Sequence, residues 1–247
     1  TACCALPLPG GSTLLATTGD DRTARLWDPS TGTQIGEPLT GHTGAVTACC
    51  ALPLPDGSTL LATTSHDWTA RLWDPTTATQ IGDPLGHAGW LIACCALPLS
   101  DGSTLLVTTG LDGTVWSWDP ATGTQVGEPL RGHTSAVSAC CALPRPDGTT
   151  LLVTASWDRT VRLWNPATGT HSRLARSVAQ LLSASRGDAR MAATMTPVGP
   201  PMRGHTDGVT GCCAIPVENG TFLLATTGRD ETVRVWDPAT GIQVGHR

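Results

Sequence analysis

The sequence predicts an all-β repeat protein, and three observations lead to this fold class. A tryptophan closes the same short phrase five times along the chain, at Trp27, Trp73, Trp118, Trp164 and Trp236. The first three intervals are 46, 45 and 46 residues, a period typical of repeat architectures whose units bury apolar faces against their neighbours. The chain also has 28 glycines, 19 prolines and only 14% charged residues, which favours many turns and short strands.

The second repeat unit begins with two predicted strands. Residues 46–52 form a run of apolar and small residues of strand length, which ends at two prolines and the turn pair Asp56-Gly57. Residues 59–64 predict the second strand. The first strand is apolar at consecutive positions, without polar residues between them, so both of its faces are expected to be buried.

The same unit continues with a turn and two more predicted strands. Residues 65–68 predict a tight turn, and residues 69–73 predict a third strand with an alternating pattern. Asp74-Pro75 starts the next turn, because proline presets φ for the second turn position and aspartate bonds back to the backbone. Residues 80–85 predict a weaker outer strand.

Four short antiparallel strands in a unit of roughly 45 residues are typical of one blade of a β-propeller. We therefore predict a single domain, an all-β β-propeller built from five four-stranded antiparallel blades. The predicted blades span residues 1–40, 44–85, 89–131, 135–203 and 207–247. The sequence leaves open whether five units close into a ring.

The repeated phrases resemble those of the WD40-repeat family, with Gly-His near the start, Asp in the tight turn and Trp at the end. The resemblance implies a hydrogen-bonded network of His, Thr, Asp and Trp that braces each blade, and a buried carboxylate needs such donors. The matching histidines are His42, His87, His133 and His205. The matching threonines are Thr17, Thr63, Thr108, Thr154 and Thr226. The matching aspartates are Asp21, Asp67, Asp112, Asp158 and Asp230, and the tryptophans are those of the repeat.

The fourth unit departs from the period, because Trp164 and Trp236 are 72 residues apart. This spacing predicts an insert at residues 171–196. Leu174, Val178 and Leu181 follow helical spacing, so a short amphipathic helix is one interpretation, and a disordered loop or a decayed piece of blade are the others. His246 is either a fifth Gly-His histidine or part of a truncated outer strand.

Ten cysteines form five adjacent pairs, at 3–4, 49–50, 94–95, 140–141 and 212–213. Neighbours on a strand point to opposite faces, so one pair cannot readily chelate a metal or form a normal disulfide. We interpret the thiols as inert core groups, with contact between thiols across a blade interface as the alternative. The sequence lacks the close-spaced ligand pairs that zinc sites usually have. We therefore predict no metal, and we predict no cofactor.

Two sets of residues are candidates for binding a partner. Trp68, Trp90 and Trp157 lie outside the tryptophan repeat, and the resemblance places them on one rim of the propeller, called here the top face. The residue before each turn aspartate also differs from blade to blade, as Asp20, His66, Leu111, Trp157 and Arg229. Exposed aromatic residues are typical interface anchors. The alternatives are tryptophans that fill gaps between blades and neutral drift at an exposed position.

Composition argues against several classes of partner. The net charge is −5 and the 15 basic residues are scattered arginines, which argues against a general nucleic-acid surface. No apolar run approaches the length of a membrane helix, and the first residues lack signal-peptide features. We therefore expect a cytoplasmic protein that does not bind membranes. From the composition and the start at Thr1 we expect a piece of a longer bacterial protein, from an organism such as an actinomycete.

The sequence predicts a noncatalytic module that binds a protein, or another part of its own parent chain, through the top face. There is no nucleophile elbow and no glycine-rich phosphate loop, and the recurrent Asp and His residues have bracing roles. The alternative is a five-bladed propeller with glycan-binding or glycoside hydrolase activity. Hydrolysis needs converging carboxylates, for which Asp20, Asp207 and Glu231 are the candidates, and Trp68, Trp90 and Trp157 could stack on sugars.

Overall fold

The computed structural model describes residues 2–166, 195–217 and 220–244. These residues form five antiparallel sheets, each of which is one blade. Blade one contains β1 (Cys3–Pro7), β2 (Thr13–Thr18), β3 (Ala24–Asp28) and β4 (Thr33–Leu39). Blade two contains β5 (Val46–Pro53), β6 (Thr59–Ser65), β7 (Thr69–Asp74) and β8 (Thr79–Gly86). The predicted all-β propeller of five blades is confirmed.

The remaining blades repeat this order with shorter outer strands. Blade three contains β9 (Leu91–Pro98), β10 (Thr104–Gly110), β11 (Val115–Asp119) and β12 (Thr124–Gln125). Blade four contains β13 (Val137–Pro144), β14 (Thr150–Ser156), β15 (Thr160–Asn165), β16 (Thr196–Pro197) and β17 (Met202–Arg203). Blade five contains β18 (Val209–Pro216), β19 (Phe222–Gly228), β20 (Val233–Asp237) and β21 (Ile242–Gln243). In blade four, both β16 and β17 pair with β15, so the outer strand is in two pieces.

The predicted strands of the second unit differ from the observed ones by no more than one residue at either end. β5, for example, includes Pro53, which pairs with Thr59. Proline lacks an N–H, but the ladder continues because the next residue, Leu54, donates its N–H to the carbonyl of Ser58 at 2.8 Å. The predicted helix, loop or blade remnant at 171–196 lies outside the described residues, apart from 195 and 196. The interpretations of His246 also lie outside them.

Neighbouring residues on a strand pack against different blades. On β6, Leu60 lies in the apolar cluster shared with blade three, whereas Leu61 lies in the cluster shared with blade one. Similar clusters join blades three and four and blades four and five. Because both faces of an inner blade are covered, consecutive apolar residues are needed along its strands.

The five blades form an open series in the described part of the chain. The first strands of successive blades contact one another, from β1 to β5 and onward to β18. Within residues 2–166, 195–217 and 220–244, no buried cluster joins blade five to blade one. In these same ranges, no helix is both long enough and apolar enough to cross a membrane.

Candidate functional site

A chain of hydrogen bonds braces blade two. His42 Nδ1 donates to Asp67 Oδ2 at 2.8 Å, and the backbone N–H of Thr43 donates to the same oxygen at 2.9 Å. Trp73 Nε1 donates to Thr63 Oγ1 at 2.9 Å, and this hydroxyl in turn donates to His42 Nε2 at 2.9 Å. Burial lowers the pKa of His42 although Asp67 opposes the shift, so the ring is neutral and each polar atom has a partner.

Blades four and five repeat this arrangement. The histidine-to-carboxylate distance is 2.9 Å in both blades, between His133 and Asp158 and between His205 and Asp230. Thr154 and Thr226 bridge these histidines to Trp164 and Trp236 at 2.8 to 2.9 Å. Burial acts to raise the pKa of Asp158, but hydrogen bonds from His133 and Thr160 outweigh it and hold the pKa well below its ordinary value.

Blade three departs from the expected network. Trp118 Nε1 donates to Thr108 Oγ1 at 2.9 Å, but neither ring nitrogen of the buried His87 has a hydrogen-bond partner among the described residues. Asp112 instead accepts hydrogen bonds from Thr114. The prediction that His87 binds Asp112 and Thr108 is therefore wrong.

Two sequence differences explain the exception in blade three. Trp116 stands where the other blades carry an arginine, and its ring packs against His87 with centroids 4.8 Å apart. The segment before His87 is also one residue shorter, since Gly86 follows Leu85 directly whereas Thr40 or an arginine intervenes in the other units. Burial lowers the pKa of His87 to about 4, so its ring is neutral near pH 7.

Blade one keeps only part of the network. Trp27 Nε1 donates to Thr17 Oγ1 at 2.8 Å. Asp21, however, is half exposed and accepts hydrogen bonds from Arg25 at 2.9 Å and Thr23 at 2.8 Å. The prediction of a carboxylate shielded from water is therefore wrong for Asp21, because the described residues of blade one include no histidine to cover it.

Backbone hydrogen bonds define the top face. In blades two to five, the backbone N–H of the residue before the turn aspartate donates to a carbonyl in the segment that leads into the first strand. His66 donates its N–H to the carbonyl of Ala45 at 3.0 Å, and Leu111 donates to Trp90 at 2.9 Å. The turns between second and third strands and the starts of the first strands therefore share one rim, and this rim is the top face.

Four predicted binding residues come together on the top face of blades two and three. Trp68 and Trp90 are 53% and 48% exposed, and Leu111 is 41% exposed. These three residues line a shallow depression of about 330 Å³ together with Gly89 and Asp112. The imidazole of His66 stacks on Trp90 with ring centroids 4.8 Å apart. We name His66, Trp68, Trp90 and Leu111 the tryptophan patch.

The backbone at Trp68 is in the left-handed region, with φ of 69°. The matching residues are Arg22, Arg159 and Glu231, with φ of 60° to 69°, and Gly113 in blade three, with φ of 80°. A side chain in this region costs roughly 1 kcal/mol or more compared with glycine. The tight turn therefore holds a bulky, exposed ring at a position that glycine would fill with less strain.

The other predicted binding residues do not join the tryptophan patch. Trp157 is half-buried, and the guanidinium carbon of Arg229 from blade five lies 4.2 Å from its ring centroid. Asp20 is exposed in blade one and does not line the depression. Sequence reasoning missed Gly89 and Asp112 as lining residues. The available signal was that Gly89 and Asp112 are direct neighbours of Trp90 and Leu111 in the sequence.

The cysteines meet across the blade interfaces. The second cysteine of one pair packs in the same apolar cluster as the first cysteine of the next blade's pair, as Cys4 with Cys49, Cys50 with Cys94, Cys95 with Cys140 and Cys141 with Cys212. All ten cysteines are free. In the part of the chain that the structure describes, no group of three or more His, Cys, Asp or Glu residues is arranged to hold a metal ion.

Comparison with known families gives one match. The sequence model of the family described as WD domain, G-beta repeat matches residues 1–28, 32–74, 79–119, 123–165 and 197–237. These five segments cover well over half of the chain. Each ends at the third strand of a blade, and the last four begin in, or one residue before, the outer strand of the preceding blade. No curated protein matches the chain.

Proposed function

Because the chain belongs to the WD domain, G-beta repeat family, we propose that it is a noncatalytic module that binds a protein partner through its top face. The fold of this family typically mediates protein interactions. The binding site proposed here is the tryptophan patch of blades two and three. Asp20, Trp157 and Arg229 lie outside the patch, and we propose them only as peripheral contacts.

The exposed pair Trp68 and Trp90 carries this proposal. Large apolar rings are rarely left in water without a use, and tryptophan is enriched among residues that dominate binding energy. The left-handed conformation alone does not distinguish Trp68, because Arg22, Arg159 and Glu231 adopt it at the matching positions of other blades. Trp68 differs from these charged residues in placing a large apolar ring in water, 53% exposed, and a role in stability does not account for that exposure.

The shape and polarity of the depression indicate the kind of partner. Its walls come from Trp68, Trp90 and Leu111, and the Asp112 side chain adds negative charge at its edge. An aliphatic or aromatic side chain fits such a hollow, and a neighbouring lysine or arginine would complement the carboxylate. We therefore propose a partner segment with an apolar anchor next to a basic residue.

The polar residues of the blades support a noncatalytic role. In blades two, four and five, the turn aspartate is engaged by the blade histidine at 2.8 to 2.9 Å and by a backbone N–H. We propose that these groups brace the blades and do not take part in proton transfer. In blade three, packing of Trp116 against His87 takes the place of these hydrogen bonds.

We also propose a cytoplasmic location. Ten free cysteines, of which eight form thiol contacts between blades, are typical of a reducing compartment. Fractionation of the source cells, with an antibody against the chain, tests this part. Recovery from an oxidising compartment would contradict it.

The binding proposal can be tested with a displayed library of random peptides. Peptides selected on the wild-type chain should share an apolar anchor with a basic neighbour, and Trp90→Ala should weaken the best of them by about 2 kcal/mol, or roughly 30-fold in Kd. Ile81→Ala is the matched control, because Ile81 is 38% exposed on the outer strand of blade two. The control should bind as tightly as wild type.

Two outcomes would decide against the proposal. Peptides that bind wild type and Trp90→Ala equally well would place the binding surface elsewhere. A glycan array that gives Trp90-dependent binding, with no selected peptide, would favour the glycan-binding alternative, in which Trp68 and Trp90 stack on sugar rings.

A further inference from the structure

Each internal blade interface is built from the same two faces. We call the side of a blade that packs on the following blade its leading face, and the side that packs on the preceding blade its trailing face. The leading face carries the residue three positions before the repeat tryptophan, which is Ala24, Ala70, Val115 and Val161 in blades one to four. The trailing face carries the repeat tryptophan, which is Trp73, Trp118, Trp164 and Trp236 in blades two to five.

The cysteine pairs mark the same two faces. In each pair, the first cysteine lies on the trailing face and the second on the leading face, so the apolar cluster of every internal interface contains one cysteine from each of the two blades. Two cysteines have no neighbouring blade to pair with in this pattern among the described residues. Cys3 lies on the trailing face of blade one and Cys213 on the leading face of blade five, and both are exposed.

The leading face of blade five is open in the described structure. Val233 is 69% exposed, whereas Val115 and Val161 at the matching positions are each 1% exposed. Ile215 at the end of β18 is 36% exposed, although its counterpart Leu52 is fully buried. This face is thus an apolar interface surface without a covering blade.

The trailing face of blade one is open in the same way. Trp27 is only half-buried, whereas the other four repeat tryptophans are 2% to 6% exposed. Ala5 on β1 is exposed, although Ala51 at the matching position is half-buried. Blade one therefore presents the half of an interface that blade five lacks.

We propose that these two faces bind each other between two copies of this chain, so that copies associate head to tail. The leading face of blade five would pack on the trailing face of blade one of the second copy, with Cys213 beside Cys3. The structure contains this kind of interface four times, each built from corresponding residues. A second copy is the occupant because it supplies Trp27 at the position where Trp73, Trp118, Trp164 and Trp236 pack in the internal interfaces, whereas no buried cluster of the described residues joins blades five and one of the same chain.

The geometry of such an interface also determines the form of the assembly. The two faces differ from each other, so the contact is heterologous, and the two copies at the ends of a series each keep one face free until a ring closes. The association uses blade faces and leaves the tryptophan patch accessible. It is therefore independent of the proposed partner binding.

Light scattering after size-exclusion chromatography tests the proposal directly on the 247-residue chain. Wild type should elute as a multiple of the chain mass, and Val233→Asp should elute as a single chain, because a carboxylate would be buried in the contact. Ile81→Asp is the matched control and should stay assembled, since Ile81 lies on an outer strand. Circular dichroism establishes that the variants are folded. A single-chain mass for wild type over the whole concentration range would overturn the proposal.

A mixing experiment distinguishes association from closure of one chain on itself. Cys3→Ser and Cys213→Ser proteins are oxidised with copper phenanthroline and oxygen, which removes two protons and two electrons from each thiol pair that meets. Neither variant alone should give a covalent dimer, whereas their mixture should give one with a single disulfide. A wild-type disulfide within one chain, together with no product from the mixture, would show closure on itself and overturn the proposal.

Discussion

Trp116 packs its indole against the imidazole of His87, with ring centroids 4.8 Å apart, at a position where the other four blades carry arginine. This contact replaces the hydrogen bonds that brace blades two, four and five. The ring nitrogens of His87 are buried without a hydrogen-bond partner among the described residues, and burial lowers the pKa of His87 to about 4. Blade three therefore tolerates a neutral histidine and opposes a charged one.

The first prediction concerns the pH dependence of stability. An unfolded histidine has a pKa of about 6.5, so between pH 6.5 and 4 the unfolded state binds the proton that folded His87 excludes. The neutral His87 ring therefore contributes fully to the free energy of unfolding above pH 6.5, and this contribution is lost as the pH falls towards 4. Urea unfolding at pH 7 and pH 4.5 should show that wild type loses about 2 to 3 kcal/mol more than His87→Gln. Equal losses in the two proteins would contradict the lowered pKa.

The second prediction compares two aspartates at the same position of different blades. Asp67→Ala removes the acceptor for His42 Nδ1 and for the Thr43 N–H, so the buried His42 donor loses its partner, at a cost of about 1 to 3 kcal/mol. Asp21→Ala is the matched control, because Asp21 is half exposed and its donors can turn to water. Thermal unfolding should show a clearly lower midpoint for Asp67→Ala only. Equal midpoints would mean that the network does not stabilise blade two.

The strands and most of the bracing contacts follow from local sequence. Turn pairs such as Asp56-Gly57 determine where a strand ends, so the predicted strands of the second blade are within one residue of the observed ones. The contacts of His42 with Asp67 and Thr63 agree with their spacing in the family pattern. These features depend only on residues within one repeat, so the sequence of that repeat is sufficient to predict them.

The exceptions depend on packing that one repeat does not contain. The change from arginine to Trp116 is visible in the sequence, but its effect on His87 requires knowing that the two rings touch. Arg229 covers Trp157 from the neighbouring blade, so the exposure of Trp157 depends on how two blades are placed side by side. For the same reason, sequence alone did not separate the tryptophan patch from the other top-face residues.

The third prediction separates stability from binding at Trp68. Glycine adopts the left-handed conformation of this turn without steric cost, as Gly113 does in blade three. Trp68→Gly should therefore unfold at the same temperature as wild type or higher, with a gain of up to about 1 kcal/mol, while peptides selected on wild type bind at least tenfold less tightly. A lower unfolding temperature with unchanged peptide binding would show that Trp68 packs for stability.

The fourth prediction concerns the ten thiols. Cys3 and Cys213 are exposed, whereas the other eight lie between blades. The neighbouring Cys50 thiol and burial together raise the pKa of Cys94 well above its usual range, and the partner thiols and burial raise the pKa values of Cys140 and Cys212 in the same way. Alkylation requires an accessible thiolate, so these thiols should react slowly in the folded chain.

Mass spectrometry during alkylation of the Val233→Asp protein measures this difference, because that variant keeps both outer faces accessible if copies associate. Two thiols should react in a fast phase and the remaining eight much more slowly, with all ten reacting after denaturation. Cys3→Ser and Cys213→Ser should each remove one thiol from the fast phase, whereas Cys94→Ser should leave the fast phase unchanged. Rapid reaction of more than two thiols in the folded protein would show that the blade interfaces open readily, and the thiols would then not be core groups.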